Sequence, residues 1–299
     1  MIKMNLSEYY DHILSTKSDF IRDSCINEAE AEKIFARWLI THRSLFPCNT
    51  PLFPMDSSYD YQLVLELTSK GCQEETANML EERLRTCVIE LADEDLCLLK
   101  STNENNCAEK WSQKFYNVLG DNGLQWAVPP AVMDLFQNTL GCQTELFASP
   151  SNHRYQNYYS LFPIDKQLGS LGNFFEAPME NFQEGVFQVN PPFIDSVFTK
   201  TTEIILNCLR DAQRNGRQLT FIYVMPNWSK FSTLRRSLES EFCVKTVELK
   251  AHDHHYYVYS TGTFVKAKFG SMIIFLSTES EFIQRIKSSY LMSLFKKKN

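Results

Sequence analysis

The chain has 299 residues, 43% of them hydrophobic and 22% charged, with a net charge of −6. This is close to an ordinary globular composition, enough to bury a real core. The longest apolar runs, such as Met272–Leu276, fall far short of the roughly 20 residues that span a bilayer, and the N-terminal MIKMNLSEYYDH lacks the apolar stretch of a secretory signal. The nine cysteines are an odd number, scattered and without a CxxC pair, which excludes a disulfide framework and a zinc ribbon. Free thiols in a reducing compartment are the expectation, hence an intracellular protein of the nucleus or cytoplasm. His252, His254 and His255 form the only histidine cluster; no other ligand spacing supports a metal, and none is expected.

In chain order, the first third reads as helical. Ile26–Arg43 carries Ile34, Trp38 and Leu39 at near-helical spacing, and Gln73–Ala92 carries a stripe of Met79, Leu80, Leu84, Val88 and Leu91. Between them Cys48–Ser58, with two prolines, reads as a break, and Lys100–Lys110 as a polar loop. Beyond it the texture changes. Strand-like runs at Thr144–Ser149, Gly185–Val189, Gln218–Met225, Cys243–Leu249 and Ser271–Ser277 alternate with helical ones, the clearest being Phe193–Gly216, ended by Asn215-Gly216. Such alternation predicts an α/β fold with a largely parallel sheet covered by helices. The tail FKKKN is expected to fray.

Ligands of open parallel sheets sit beyond the carboxyl ends of the strands. Two such ends are unusual here: TELFASPSN, which stops at Ser149-Pro150, and GVFQV, which runs into Asn190-Pro191-Pro192-Phe193; strands of one sheet would bring these tips to a single crevice. Prolines cannot donate to a sheet, so the second strand must end there. A turn explains these residues, and so does a pocket for a flat base with an exocyclic amine. In the second reading the Asn190 side-chain oxygen and the Pro191 carbonyl accept the two N–H groups of an adenine N6 amine. Pro191 and Pro192 hold that carbonyl rigid, and Phe193 stacks on the base. Methyl transfer from S-adenosylmethionine asks for this alignment and for no metal or catalytic base.

Upstream, Trp126–Phe136 (WAVPPAVMDLF) resembles the element with which many adenine N6-methyltransferases hold the methionine end of the cofactor, and Pro129 is its candidate. ELFASPSN, NPPF, FIYVMPNW and DHHYYVYSTG, in this order and spacing, resemble the catalytic core of the phosphorylated-CTD-interacting-factor family, the cap-specific mRNA adenosine N6-methyltransferases. The resemblance covers roughly Asn122 to Thr278. It implies a Rossmann-type methyltransferase domain over 121–299, preceded by a helical domain over 1–120, acting on the first transcribed adenosine beside a 7-methylguanosine cap. Asn190, Pro191, Pro192 and Phe193 match the catalytic motif, and Phe147, Ala148, Ser149 and Pro150 the cofactor tip. FPIDKQLGSLGNFFEAP looks like the family's cofactor-side stretch. There Asp165 is a candidate for the ribose hydroxyls, Gly169, Ser170 and Gly172 for close backbone approach, and Glu176 for the cofactor's adenine amine; a solvated carboxylate is an equal reading of both acids.

Two departures bear on the substrate. Nothing in residues 1–60 supplies the two spaced tryptophans of a WW module, which points to a compact relative, and the family's EHEYRSG loop here reads Asp253-His254-His255-Tyr256-Tyr257, in which Tyr256 matches and the glutamate and arginine do not. Residues 1–200 carry 15 Lys+Arg against 28 Asp+Glu, whereas residues 201–299 carry 15 against 8. A basic last third can hold a polyanion, though charge alone fits a solvated surface equally. Lys266 and Lys268, at strand spacing i, i+2, are the candidates for the RNA backbone; Arg235 and Arg236 are weaker ones. Trp38, Trp111, Trp126 and Trp228 are open as cap-stacking residues, with core packing the ordinary alternative. The alternatives to an RNA methyltransferase are a DNA adenine N6-methyltransferase and a degenerate fold kept as a binding subunit; the intact Asn190 argues against the second.

Overall fold

The computed structural model describes residues 2–4, 6–42, 62–86, 89–91, 105–120, 123–229 and 232–296. They divide into two compact units, Met1–Asn122 with Phe162–Leu168, and Gly123–Leu161 with Gly169–Asn299.

The first unit is helical: α1 (Leu6–Ser24), α2 (Glu28–His42), α3 (Leu63–Ser69), α4 (Glu74–Thr86) and α5 (Asn105–Val118), with a parallel pair of short strands, β1 (Ile2–Met4) and β2 (Ile89–Leu91). Ile34, Trp38 and Leu39 are buried as their spacing predicts, together with Ile13, Phe20 and Phe35. The Asn27 side chain caps α2 by accepting from the Ala29 amide at 3.1 Å. The stripe predicted over 73–92 is cut short. Leu80 and Leu84 are buried but Met79 is 52% exposed, and α4 ends at Thr86 before the β-branched Ile89 enters a strand. The predicted loop over 100–110 is half corrected, because α5 begins at Asn105. Trp111, Phe115 and Val118, at i, i+4 and i+7, are the helical signal there. The break at 48–58, residues 100–104 and the tail 297–299 lie outside the described residues.

The second unit is a six-stranded sheet. Its strands are β3 (Thr144–Ala148), β4 (Asn157–Ser160), β5 (Gly185–Val189), β6 (Leu219–Pro226), β7 (Cys243–Leu249) and β10 (Ser271–Ser277), in the order β4-β3-β5-β6-β10-β7. β4, β3, β5 and β6 are mutually parallel; β10 runs antiparallel to both β6 and β7. The five predicted strands all form, with bounds within a residue or two. The sequence reading missed β4 and the hairpin of β8 (His255–Val258) and β9 (Thr263–Lys266). These are short, and their aromatic texture shows no clean alternation.

The helices α6 (Pro130–Leu140), α7 (Asp195–Arg214), α8 (Ser232–Leu238) and α9 (Ser288–Lys296) complete the unit. β6 is buried along its whole length, as a central strand covered on both faces must be. Phe187, Val189, Phe221 and Tyr223 face the core that holds Phe198, Ile205 and Leu209 of α7. Ile222, Val224, Ile273 and Phe275 face the other core, with Val132, Met133 and Phe136 of α6 and Leu291 and Phe295 of α9. Each such side chain contributes about 1.5–3 kcal/mol by leaving water. α6 follows its sequence punctuation: Pro129 and Pro130 open it, and Gly141, at φ 72°, closes it by donating to the Gln137 carbonyl.

The topology places one crevice. From β3 the chain moves outward to β4 on one side and returns to β5 on the other, so the direction of winding reverses between β3 and β5. The carboxyl ends of two parallel neighbours whose connections part in this way leave an open cleft. The two ends are Ala148-Ser149-Pro150 and Val189-Asn190-Pro191.

Candidate active site

Asn190 follows the last residue of β5 and is half-buried. Its amide nitrogen donates to the Trp126 carbonyl at 3.0 Å. Its amide oxygen is buried and, among the described residues, has no hydrogen-bond partner. A buried acceptor left unmade costs about 1–3 kcal/mol and calls for an explanation. Pro191 is buried and Pro192 half-buried. The Pro192 carbonyl is taken by the Ile194 amide at 2.7 Å, whereas among the described residues no backbone N–H donates to the Pro191 carbonyl. Among the described residues two acceptors on consecutive residues are thus left unpaired, on a backbone whose φ proline fixes at 191 and 192.

Phe193 is half-buried at the edge of an aromatic cluster. Its ring meets Phe269 at 5.5 Å, and Trp228 and Tyr256 at 6.0 Å, all edge to face. Trp126 stacks on Phe269 with an interplanar angle of 11° and on Tyr256 at 28°. Of the four tryptophans, Trp126 and Trp228 belong to this cluster. Trp38 is a core residue packed on Phe35, and Trp111 lies under the Lys114 ammonium in the helical unit.

Tyr256, expected to face substrate, is fully buried. Its hydroxyl sits 2.8 Å from Ser271 Oγ, and His254 Nε2 sits 2.9 Å from the same oxygen. His254 Nδ1 lies 2.9 Å from the Lys250 carbonyl, which accepts only, so Nδ1 carries the proton. Burial pushes His254 below its ordinary pKa and keeps it neutral. Nε2 then accepts from Ser271, whose oxygen accepts from Tyr256. The tyrosine is therefore a fixed backing for Trp126 and Phe193, not a free hydroxyl.

The β3 tip is built differently. The Ser149 amide donates to Asn152 Oδ1 at 2.6 Å, and the Asn152 amide nitrogen donates to Gln125 Oε1 at 3.1 Å. Ser149 Oγ reaches Gln125 Oε1 at 3.4 Å and Ser151 Oγ at 3.0 Å. Gln125 is adjacent to Trp126, so residues 125–126 tie the two tips together. Nothing in sequence spacing points to Gln125; only the fold brings it to both strand ends. The connection from β3 to β4 is short for a parallel pair. Glu145 of β3 holds it by accepting from the amides of Arg154 and Tyr155 at 2.5 and 2.8 Å. Burial pushes this carboxyl up to about 7 against those two bonds.

The remaining expected cofactor residues separate. Phe147 is half-buried against Phe174 and Phe175, with centroids 5.3 and 5.7 Å away. Pro129 is buried at the start of α6. Gly169 and Gly172 have φ of 95° and 105°, where side chains are strained. Between them Ser170 Oγ bonds Ser160 Oγ at 2.6 Å, and Ser160 donates its amide to the Gly172 carbonyl, fixing this loop beside β4. Glu176 is exposed. Asp165 goes elsewhere and is a correction. It belongs to the helical unit, is fully buried, and its two oxygens accept from Ser112 Oγ at 2.7 Å and the Tyr116 hydroxyl at 2.8 Å. A carboxylate satisfied in this way ties α5 to the 162–168 turn and is not retained for ribose. Lys266 and Lys268 are exposed, but β9 ends at Lys266 and Lys268 lies in the following bend, so a shared strand face does not exist. Arg235 and Arg236 pair with Glu239 and Glu203. Among the described residues no group of three or more His, Cys, Asp or Glu stands together as a metal site, and no helix is long and apolar enough to cross a membrane.

A strand-end asparagine with a buried oxygen unpartnered among the described residues, two prolines and an aromatic cluster thus meet at the carboxyl end of β5. The family described as the phosphorylated CTD interacting factor 1 WW domain matches residues 107–259, just over half of the chain, and the chain belongs to it. The description names a WW domain, yet the matched stretch runs from α5 to the end of β8 and holds both strand tips. The chain is also 31% identical over 138 residues to the mRNA (2'-O-methyladenosine-N(6)-)-methyltransferase of Homo sapiens, and 30% identical over 138 residues to that of Mus musculus. Each alignment covers 45% of this chain and 19% of the relative, so the matched stretch spans about a fifth of those proteins.

Proposed function

We propose that the second unit is a Rossmann-type methyltransferase domain that moves a methyl group from S-adenosylmethionine to the N6 amine of an adenosine in RNA, and that its acceptor is the cap-adjacent 2'-O-methyladenosine of mRNA. What carries this reading is the Asn190 oxygen: buried, unpartnered and fixed in direction by the Trp126 carbonyl. A site that acts on mRNA works inside the cell, in nucleus or cytoplasm, and RNA is its partner.

S-adenosylmethionine fits the residues at the crevice. Ala148 and Ser149 are small, the Gly169–Gly172 loop lets backbone come close, and the half-buried Phe147 and Phe175 offer ring faces to an adenine. When bound it supplies a methyl on a positively charged sulfur, which leaves as a neutral thioether. The chain's own residues then have three tasks. Asn190 Oδ1 and the Pro191 carbonyl each accept one N–H of the amine. With both N–H groups held, the nitrogen lone pair is freed from conjugation with the purine and aimed into the crevice, where a bound cofactor would present its methyl, and the amine proton displaced by methylation would pass to solvent. Phe193 holds the base plane, and Trp126, Trp228 and Phe269 keep water from its far side. Positioning of this kind, with acceptors fixed before the reaction, carries the rate where no covalent step is asked of the protein. Glu176 is the residue proposed for the cofactor's adenine amine, and Lys266 and Lys268 for the RNA backbone.

The experiment offers labelled S-adenosylmethionine with four acceptors: capped RNA beginning in 2'-O-methyladenosine, the same RNA beginning in adenosine, uncapped RNA and single-stranded DNA. The capped 2'-O-methylated RNA is expected to take up label fastest. Label on DNA alone overturns the RNA reading, and no label on any acceptor overturns the enzyme.

A further inference from the structure

The Asn190 amide must satisfy a neighbour before it can act. The Trp126 carbonyl lies 3.0 Å from its nitrogen and is an acceptor only. That carbonyl cannot swing away. Ala127 is locked to Tyr257 by reciprocal backbone bonds of 2.9 and 2.8 Å, the Trp126 amide donates to Gly123, and Gln125 is held by Asn152 and Ser149. The Trp126 ring is fixed in turn between Tyr256 and Phe269. Position 190 therefore needs a donor on one side and presents an acceptor on the other.

We propose that the Trp126 carbonyl is a positioning group that makes residue 190 an obligate hydrogen-bond donor, so that this site reads its amine with a neutral amide and is silenced by a carboxylate in the same place until that carboxylate takes up a proton. The inference rests on the methyltransferase reading for its kinetic arm only. An ionised carboxyl would set two acceptors against each other in a buried site, where an unpaired charge is most costly. A protonated carboxyl has the shape and polarity of the amide: its O–H donates to Trp126, and its carbonyl oxygen faces the crevice as the Asn190 oxygen does. Burial and the facing carbonyl both favour that neutral form and raise its pKa.

The titratable groups on the elements around position 190 are Glu145 of β3, His153, Arg154 and Tyr155 after it, Asp195 at the start of α7, Tyr223 of β6 beside Val189, and His254, His255, Tyr256 and Tyr257 at the hairpin. All are present in the parent chain, so its pH profile isolates the contribution of the new carboxyl.

The test is Asn190→Asp, followed in two ways. With capped RNA, turnover at pH 8 is expected on the order of 10²–10³ below the parent and to rise about tenfold per pH unit on acidification while the carboxyl is ionised; Asn190→Ala shows no such recovery. Without any substrate, the carboxyl carbon of the labelled variant is expected to titrate above the ordinary value of about 3.9. Circular dichroism at pH 5.5 and pH 8 follows the fold, which is expected to be the more stable at the lower pH. Parent-like turnover at pH 8, a carboxyl titrating at or below the ordinary value, or a variant unfolded at every pH would each overturn the proposal. If the parent transfers no methyl to any acceptor, the enzymatic reading falls by itself, and the carboxyl titration still decides the role of the Trp126 carbonyl.

Discussion

The two strand tips of the crevice each carry an asparagine, and the two are used in opposite ways. Asn152, past β3, spends both ends of its amide inside the chain: its oxygen takes the Ser149 amide and its nitrogen goes to Gln125. Asn190, past β5, spends only its nitrogen, on Trp126, and leaves a buried oxygen bare. A satisfied tip is a piece of architecture. A half-satisfied one retains a cost that a ligand can remove, and such residues gather where chemistry is done.

Breaking the bare tip should have the largest effect. Asn190→Ala is expected to lower methyl transfer by about 10²-fold or more while leaving cofactor affinity within a few-fold of the parent, as calorimetry would report. Retention of more than about a tenth of turnover would mean that another group frees the amine's lone pair. Breaking the satisfied tip should give the converse. Asn152→Ala releases the Ser149 amide and Gln125, and is expected to weaken cofactor binding about tenfold, the worth of one net hydrogen bond, with turnover at saturating cofactor near that of the parent. Equal loss of binding and turnover in both variants would erase the distinction between the tips.

Glu145 sharpens the comparison from below, because it holds the loop that carries Asn152. Its pKa is raised to about 7 from 4.5, mainly by burial. A carboxyl raised on folding contributes fully below its unfolded pKa and loses that contribution as pH rises through the folded one. Stability should therefore fall between about pH 4.5 and 7. Glu145→Gln, which can still accept from both amides, is expected to exceed the parent by on the order of 2 kcal/mol above pH 7, and to match it at pH 4. A thermal denaturation series shows this; parallel curves for the two proteins would place the pH dependence elsewhere. The smallest effect is expected on the surface. Lys266→Glu with Lys268→Glu should flatten the dependence of log K on log salt for RNA by about 0.7 per lost contact, with cofactor affinity unchanged.

The difference between the tips also marks what the sequence discloses. Both strand ends, the five core strands and α7 were legible because apolar runs bounded by Pro, Gly and Asn state them locally. The strand end at NPPF was legible because two prolines dictate their own backbone. Asp165 misled for a physical reason: a carboxylate near glycines reads as ribose-binding, and only tertiary packing brings Ser112 and Tyr116 to its two oxygens. Gln125 and the Trp126 carbonyl were invisible for the same reason. A main-chain acceptor has no sequence signature, and the bond to Asn190 spans 64 positions. The shared-face argument for Lys266 and Lys268 failed on an element boundary, where the strand stops two residues before Lys268.

The most direct measurement of the central claim is a crystal structure of the protein with a capped oligonucleotide beginning in 2'-O-methyladenosine and a cofactor analogue that cannot transfer its methyl. The adenosine N6 is expected within about 3 Å of both Asn190 Oδ1 and the Pro191 carbonyl, with the base against Phe193 and the Asn190 nitrogen still on the Trp126 carbonyl. An amine bound to other groups, with the Asn190 oxygen still buried and unpartnered, would contradict it.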